Sequence, residues 1–345
     1  MTTPLATVIV TQRERFGMTQ ESLESLYSET EGQFDVIVVD GGSPKATQSY
    51  LAEQAQARGF NLIRHPEFLT PNEARNIGCA AAKTKYVAFV DNDVLYTPGW
   101  LQALVRCAEE TGAAAVAPLT CQGLPAHQEI HHAGGDFVDG SQSMQSFFDV
   151  KAPAKRKFVE VMRGHGEPLD SWEDSLERTE TGFTEFHCVL ARRDVFDKIG
   201  PLDEKMLSTK EHIDFGMSLR AAGETVWFEP ASVVTYVFPC RARPLEVADW
   251  PFFCLRWSDT HAKKSLNHFI QKWRLETESD YVRNREAVWP MRRRQGVLIP
   301  LVRRVPLVGG NRTLTNKIAG ALARLEKPLN RLYVRMADKR IGRTA

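Results

Sequence analysis

The chain has 345 residues, 43% hydrophobic and 25% charged, with no repeat or biased segment, a composition that excludes disordered and fibrous classes. No stretch reaches the roughly 18 apolar residues of a spanning helix, and residues 1–10 lack the basic and apolar regions of a secretion signal, so a cytoplasmic protein is expected. The net charge of +1 hides an asymmetry: residues 281–345 hold 16 Lys/Arg and 3 Asp/Glu, a balance of +13, whereas residues 1–280 hold 28 and 40, a balance of −12.

In chain order, residues 5–11, 34–40, 60–64, 86–91 and 113–118 are short apolar runs. Between them, 18–29, 46–58, 71–83 and 98–111 have helical length and amphipathic spacing. The alternation predicts a doubly wound, mostly parallel α/β sheet. Ligands in such sheets sit at the carboxyl ends of the strands, which directs attention to Thr11, Asp40 and Asp91. Periodicity fades over 122–184, predicting a long loop region that covers a site. It resumes with a helix end at 195–200, a helix at 210–222 stopped by Gly223, and strands at 226–228 and 232–238.

The strongest chemical signal is Asp91-Asn92-Asp93, which brings two carboxylates out together at the end of an apolar strand. Burying them without a partner is costly, and a hard divalent cation, Mn²⁺ or Mg²⁺, relieves that cost while bridging a diphosphate. His127, His131 and His132 include an i, i+4 pair that suits zinc only on a helix; a loop near an acceptor is the preferred reading. The six cysteines form no Cys-x-x-Cys pair, and the zinc-protease, P-loop and dinucleotide fingerprints are absent.

Several segments in order resemble glycosyltransferase family 2, whose catalytic domain has the GT-A fold. They are Val8-Ile9-Val10-Thr11-Gln12-Arg13-Glu14-Arg15, Val38-Val39-Asp40-Gly41-Gly42-Ser43 and Ala74-Arg75-Asn76-Ile77-Gly78, then residues 86–93 and Pro98-Gly99-Trp100-Leu101. The likeness covers residues 5–120 and extends through 198–238. It implies a base contact for Asp40, a base and ribose pocket at Thr11 and Glu14, and a nucleotide or phosphate contact for Arg75. It further implies nucleotide-sugar and metal contacts across Asp91, Asn92 and Asp93. The segment Glu211-His212-Ile213-Asp214 resembles the one that supplies the family's catalytic base, with His212 where many members have Asp. Glu211, His212 and Asp214 all stand as candidates. The family's third metal ligand is often a histidine after the following strand; here that place reads Val234-Thr235-Tyr236-Val237, and His261 is the nearest downstream candidate.

The resulting expectation is a GT-A catalytic domain over 1–260, with a nucleotide-binding half (1–120) and an acceptor half (121–260), then a basic helical extension over 261–345. It would be an inverting, metal-dependent transferase moving a sugar from a nucleotide sugar, a UDP-sugar first, to a glycan or lipid-linked acceptor. In the extension, Leu314, Ile318, Leu322, Leu325, Leu329 and Leu332 recur at three- and four-residue spacing among cations. That pattern suits a peripheral helix on an anionic cytoplasmic membrane face or, equally, a packing helix. The rivals are a sugar nucleotidyltransferase, which would want a more Gly-rich first loop, and a nucleic-acid binder using the tail, which lacks a recognisable RNA module.

Overall fold

The computed structural model describes residues 4–138, 159–238, 244–276 and 288–343. The alternation in the first third of the chain becomes β1 (Ala6–Thr11), α1 (Thr19–Glu29), β2 (Asp35–Gly41), α2 (Lys45–Arg58), β3 (Asn61–His65), α3 (Pro71–Ala81) and β4 (Tyr86–Asp91). A short β5 (Val94–Tyr96), α4 (Trp100–Thr111) and β6 (Ala115–Gln122) follow. The middle region contributes β7 (Ile130–His132), β8 (Gly135–Val138), β9 (Val159–Met162), β10 (Thr179–Glu180) and β11 (Cys188–Arg192). After α5 (Val195–Ile199) and α6 (Glu211–Ala221), the two strands expected around residues 226–238 form one bulged strand, β12 (Val226–Tyr236). The chain then becomes helical: α7 (Trp250–Arg256), α8 (Asp259–Trp273), α9 (Ile299–Arg303) and α10 (Arg312–Arg340).

The main sheet runs β10-β12-β6-β11-β4-β1-β2-β3, with β5 on β12 and β7 on β6. β1 to β4 are parallel, as the alternation predicts. β11 lies antiparallel between β4 and β6, a position that periodicity does not reveal because it follows a long irregular segment. Side chains alternate across the pleat, and both faces are buried, so the strands read as continuous apolar runs. Val8, Val38 and Val90 face a core with Leu23, Leu51 and Trp100 from α1, α2 and α4. Ile9, Val39 and Phe89 face the opposite core with Ala74, Val195 and Phe215 from α3, α5 and α6.

Two local devices aim the site. α3 begins at a capping box, where Thr70 N donates to Glu73 Oε2 at 2.7 Å, and Pro71 sits at its first turn. A Cβ at Gly78 would collide with Ile9, so the glycine lets α3 lie close on β1 and presents Arg75 toward the end of β4. α6 begins after Lys210, a non-glycine residue at φ 71 whose Nζ pairs with Glu160 at 2.6 Å. The ion pair holds the reversal that puts Glu211 and His212 in the first turn of α6.

The extension is tied to the body. Arg293 pairs with Asp259 at 3.0 Å and Glu326 at 2.8 Å, and Asn330 Nδ2 donates to Cys254 O at 2.8 Å. Leu298, just before α9, and Val302 of α9 pack with Ala319 of α10. Asn311, a glycosylation-like sequence position, caps α10 by accepting from Leu314 N at 3.0 Å. Among the described residues, no helix is long and apolar enough to cross a membrane, and the described cysteines are all free; Cys240 lies outside them.

Candidate active site

Asp91 is the hub of a buried polar cluster at the carboxyl end of β4. Its Oδ2 accepts from Arg13 Nη1 at 2.5 Å and meets His187 Nδ1 at 2.9 Å; Oδ1 faces Arg75 Nη2 at 3.5 Å and Thr11 Oγ1 at 3.4 Å. Burial alone would raise its carboxyl, but Arg13, His187 and Arg75 outweigh it and hold Asp91 well below the usual carboxylate range. Arg13 is pushed above its ordinary value by Asp91 and Glu211 in spite of burial. Burial lowers Arg75 to about 10 against the pull of Asp91, and its guanidinium lies 4.0 Å from the centre of the Phe186 ring.

Asn92 spends its amide on the first loop. Its Oδ1 accepts from Arg13 N at 3.2 Å, and its Nδ2 donates to Glu14 O at 3.0 Å, Arg15 O at 3.3 Å and Thr19 Oγ1 at 3.2 Å. It therefore positions the loop that carries Arg13. Asp93, also buried, has no cation in salt-bridge contact among the described residues. Burial pushes its carboxyl well above the usual range; Arg15 opposes this, while Asp91 and Glu14 add to it. The two aspartates are thus unlike: Asp91 is already neutralised, and Asp93 is short of positive charge.

Glu14 and Asp40 are engaged by protein groups. Glu14 Oε1 accepts from Arg256 Nη1 at 2.7 Å and Trp257 Nε1 at 3.3 Å, which ties the first loop to α7. Asp40 Oδ1 accepts from Ser43 N at 3.0 Å and Oδ2 faces Arg64 at 3.9 Å. The register sets Thr11 opposite both Val39 and Asp91, so Asp40 lies two strands from Asp91, roughly 10 Å away.

In the first turn of α6 the three base candidates separate. Asp214 is held by Lys272 Nζ and Trp273 Nε1, both at 2.8 Å, and fastens α6 to α8; burial raises its carboxyl against the pull of Lys272. Glu211 faces Arg13 Nη2 at 3.8 Å and leaves Oε2 buried without a hydrogen bond. His212 Nε2 lies 3.3 Å from Glu185 Oε1 and 3.9 Å from Glu160 Oε1, so its carboxylate partners are these two and not the adjacent Glu211. Burial lowers His212, but Glu185 and Glu160 prevail and raise it above the ordinary histidine value.

His261 is not part of this cluster. It is buried in α8 with Nε2 at 2.8 Å from Asp338 Oδ1 of α10, a contact between helices, and it belongs to neither group of potential metal donors among the described residues. Those groups are His131, Glu185 and His187, and Glu160, Glu185 and His212. His127 stands at φ 61 in a turn with Nδ1 at 2.7 Å from Thr235 Oγ1, and His131 lies on β7, so the helical zinc pair does not form. Burial and the neighbouring imidazoles hold His131 well below the ordinary histidine value; His132 is lowered to about 3 by burial and His212. Glu160, Glu185 and His187 fall in no motif, and Arg13 lies in the segment Val8–Arg15 without a role of its own there. The one local signal is His187 standing directly before the apolar run of β11.

An uncharacterized protein of Sinorhizobium fredii is 26% identical over 241 residues, covering 65% of this chain and 24% of its own length. The pre-mycofactocin glycosyltransferase of Mycobacterium tuberculosis is 26% identical over 206 residues, 58% of this chain and 37% of that protein. The O-antigen biosynthesis protein RfbC of Myxococcus xanthus is 26% identical over 225 residues, 64% of this chain and 16% of that protein. The chain thus spans well under half the length of these relatives. The crystal structure of GalNAc-T7 with UDP, GalNAc and Mn²⁺ superposes with a TM-score of 0.52 at 12% identity, covering 79% of this chain and 55% of that one, which establishes the GT-A fold. The model for glycosyl transferase family 2 matches residues 7–200, more than half of the 345, and the chain belongs to that family.

Proposed function

We propose that the protein transfers a glycosyl group from a nucleoside-diphosphate sugar to an acceptor hydroxyl, with inversion, at the end of β4. The observation that carries this is the convergence of two buried guanidiniums, Arg13 and Arg75, on Asp91. Guanidinium forks match phosphate oxygens, and these two are held fixed at the strand end where a diphosphate would lie. Family membership favours this reaction over nucleotidyl transfer, and UDP bound to the similar GalNAc-T7 supports a UDP-sugar as the first donor to test.

The residues fit a divalent cation of the Mn²⁺ or Mg²⁺ kind in one respect. Asp93 offers a buried carboxylate short of positive charge, whereas both oxygens of Asp91 are taken. One carboxylate plus the donor's own phosphates is an ordinary ligand set for such an ion. When bound, the cation would neutralise charge on the departing diphosphate.

His212 is the base. Its Nε2 stands 3.3 Å from Glu185 and 3.9 Å from Glu160 without a hydrogen bond to either, and the imidazole takes the acceptor proton. The acceptor oxygen bonds to the anomeric carbon as the bond from that carbon to the diphosphate oxygen breaks. The hydroxyl proton passes to His212, and the diphosphate leaves with the bonding electrons. Glu211 and Asp91 share Arg13 between them and keep its guanidinium fixed.

The acceptor is a glycan or a lipid-linked sugar, and α10 would bring the protein to it at an anionic membrane surface. α10 packs through Ala319, Asn330, Val334 and Asp338, while Leu325, Leu329, Leu332 and Met336 point away and are 65%, 65%, 55% and 64% exposed. An apolar stripe opposite the packed face, in a segment of net charge +13, is complementary to anionic lipid. The test of the reaction is a thermal-shift panel of UDP-, GDP- and dTDP-sugars with and without Mn²⁺, followed by assay of released nucleoside diphosphate. One nucleotide class should stabilise the protein; no shift with any of them would contradict the proposal.

A further inference from the structure

Beside Asp91, but apart from the Asp-x-Asp pair, lies a second constellation. A ring nitrogen of His131, a ring nitrogen of His187 and a carboxylate oxygen of Glu185 all lie within 4.8 Å of one another. Donors about 2.1 Å from a tetrahedral ion stand roughly 3.4 Å apart, so side-chain adjustment alone would bring these three onto one ion. They reach the same place from β7 and from the segment leading into β11.

Both imidazoles are oriented from behind. His187 Nδ1 lies 2.9 Å from Asp91 Oδ2, an acceptor, so Nδ1 carries the proton and Nε2 keeps its lone pair. His131 Nδ1 lies 3.0 Å from Gln122 Oε1, and Gln122 is fixed in that orientation because its Nε2 donates to Glu129 Oε1 at 2.5 Å. The rings are also held laterally: His187 stacks on Tyr236 at 3.7 Å between centres, and His131 meets the edge of His187 at 5.3 Å. A histidine whose second nitrogen is anchored on a carboxylate or amide oxygen is the arrangement metal-binding histidines adopt. Backbone pairing reinforces it, since Asp91 N donates to His187 O at 3.1 Å.

We propose that His131, Glu185 and His187 form a site for a divalent first-row transition ion such as Zn²⁺, with Asp91 and Gln122 as the outer acceptors that orient the two imidazoles. Two nitrogens and one carboxylate select such an ion over Mg²⁺, and they leave a coordination position open. The site stands whether or not the protein transfers sugar, and it needs no donor to form.

The test is calorimetric titration of the metal-stripped full chain with Zn²⁺ in the absence of any nucleotide, together with visible absorption of the Co²⁺-substituted protein. The wild type should bind one ion and show the intense visible band of imidazole-ligated Co²⁺. His131→Gln and His187→Gln should each weaken Zn²⁺ binding by at least about tenfold and alter the Co²⁺ band. Both should keep the wild-type circular dichroism of the metal-free protein. Asp93→Asn should bind Zn²⁺ as the wild type does, and Mg²⁺ should give no binding heat at this site. Equal affinity in wild type and both folded histidine variants, loss only in Asp93→Asn, or absence of Zn²⁺ binding to the wild type would each overturn the proposal.

Discussion

The polar cluster has two walls that differ in kind. On the wall formed by β1, α3 and β4, Arg13 and Arg75 are permanently charged groups locked on Asp91. On the wall formed by β7, β9, the segment leading into β11, and α6, the polar groups include Glu160, Glu185, His131, His187 and His212. A fixed charge suits holding an anion, and a titratable group suits moving a proton. On the proposed reaction the first wall would bind the donor and the second would perform the chemistry, so damage to each should register in different measurements.

The largest effect should follow Asp91→Asn. Removing that charge takes from two buried guanidiniums the carboxylate they share, and breaking a buried ion pair costs about 3–5 kcal/mol. Chemical denaturation of wild type and variant checks this. The native carboxyl is held below its ordinary value, so its contribution is complete above that value and lost as pH falls through the lower, folded one. The stability gap should therefore be full at pH 7 and begin to close only below about pH 4. A gap that is already absent at pH 7 would mean that the first wall is not charge-locked.

Asp214→Ala should have an intermediate effect. It leaves the Trp273 N–H without its acceptor and should cost about 1–3 kcal/mol of stability. Turnover, assayed well below the melting temperature, should stay close to that of the wild type. A collapse of turnover in the folded variant would return Asp214 to the chemistry and blur the division between the walls.

The smallest effect on the isolated enzyme should come from the tail. Replacing Leu325, Leu329 and Leu332 with Ser touches neither wall, and their exposure predicts changes within about 0.5 kcal/mol each. Cosedimentation with anionic liposomes at low salt should nevertheless fall sharply, with turnover on a water-soluble acceptor unchanged. Equal sedimentation of the two proteins would leave α10 as a packing element only.

Much of the first wall was legible in the sequence. The runs ending at Thr11, Asp40 and Asp91 became β1, β2 and β4, because a strand buried on both faces must be apolar until it ends. The second wall was not. His187 meets Asp91 across 96 positions, and the strand that brings it there, β11, runs antiparallel out of an irregular segment with no strand–helix spacing to announce it. His212 and its neighbours were visible as a group, but which of Glu211, His212 and Asp214 faced a carboxylate, an arginine or a lysine depended on α8 and β9 arriving from elsewhere. His261 shows the same limit: on a helix face its partner could be a metal or another helix, and Asp338 of α10 decides it.

The division between the walls rests most directly on His212. Donor dissociation constant and kcat should be measured on wild type and His212→Ala under identical conditions. Loss of the base should lower kcat by about 10²–10⁴ with donor affinity within a factor of about three, since a base acts on the acceptor and only in the transition state. Near-normal kcat, or a loss confined to donor affinity, would contradict the account.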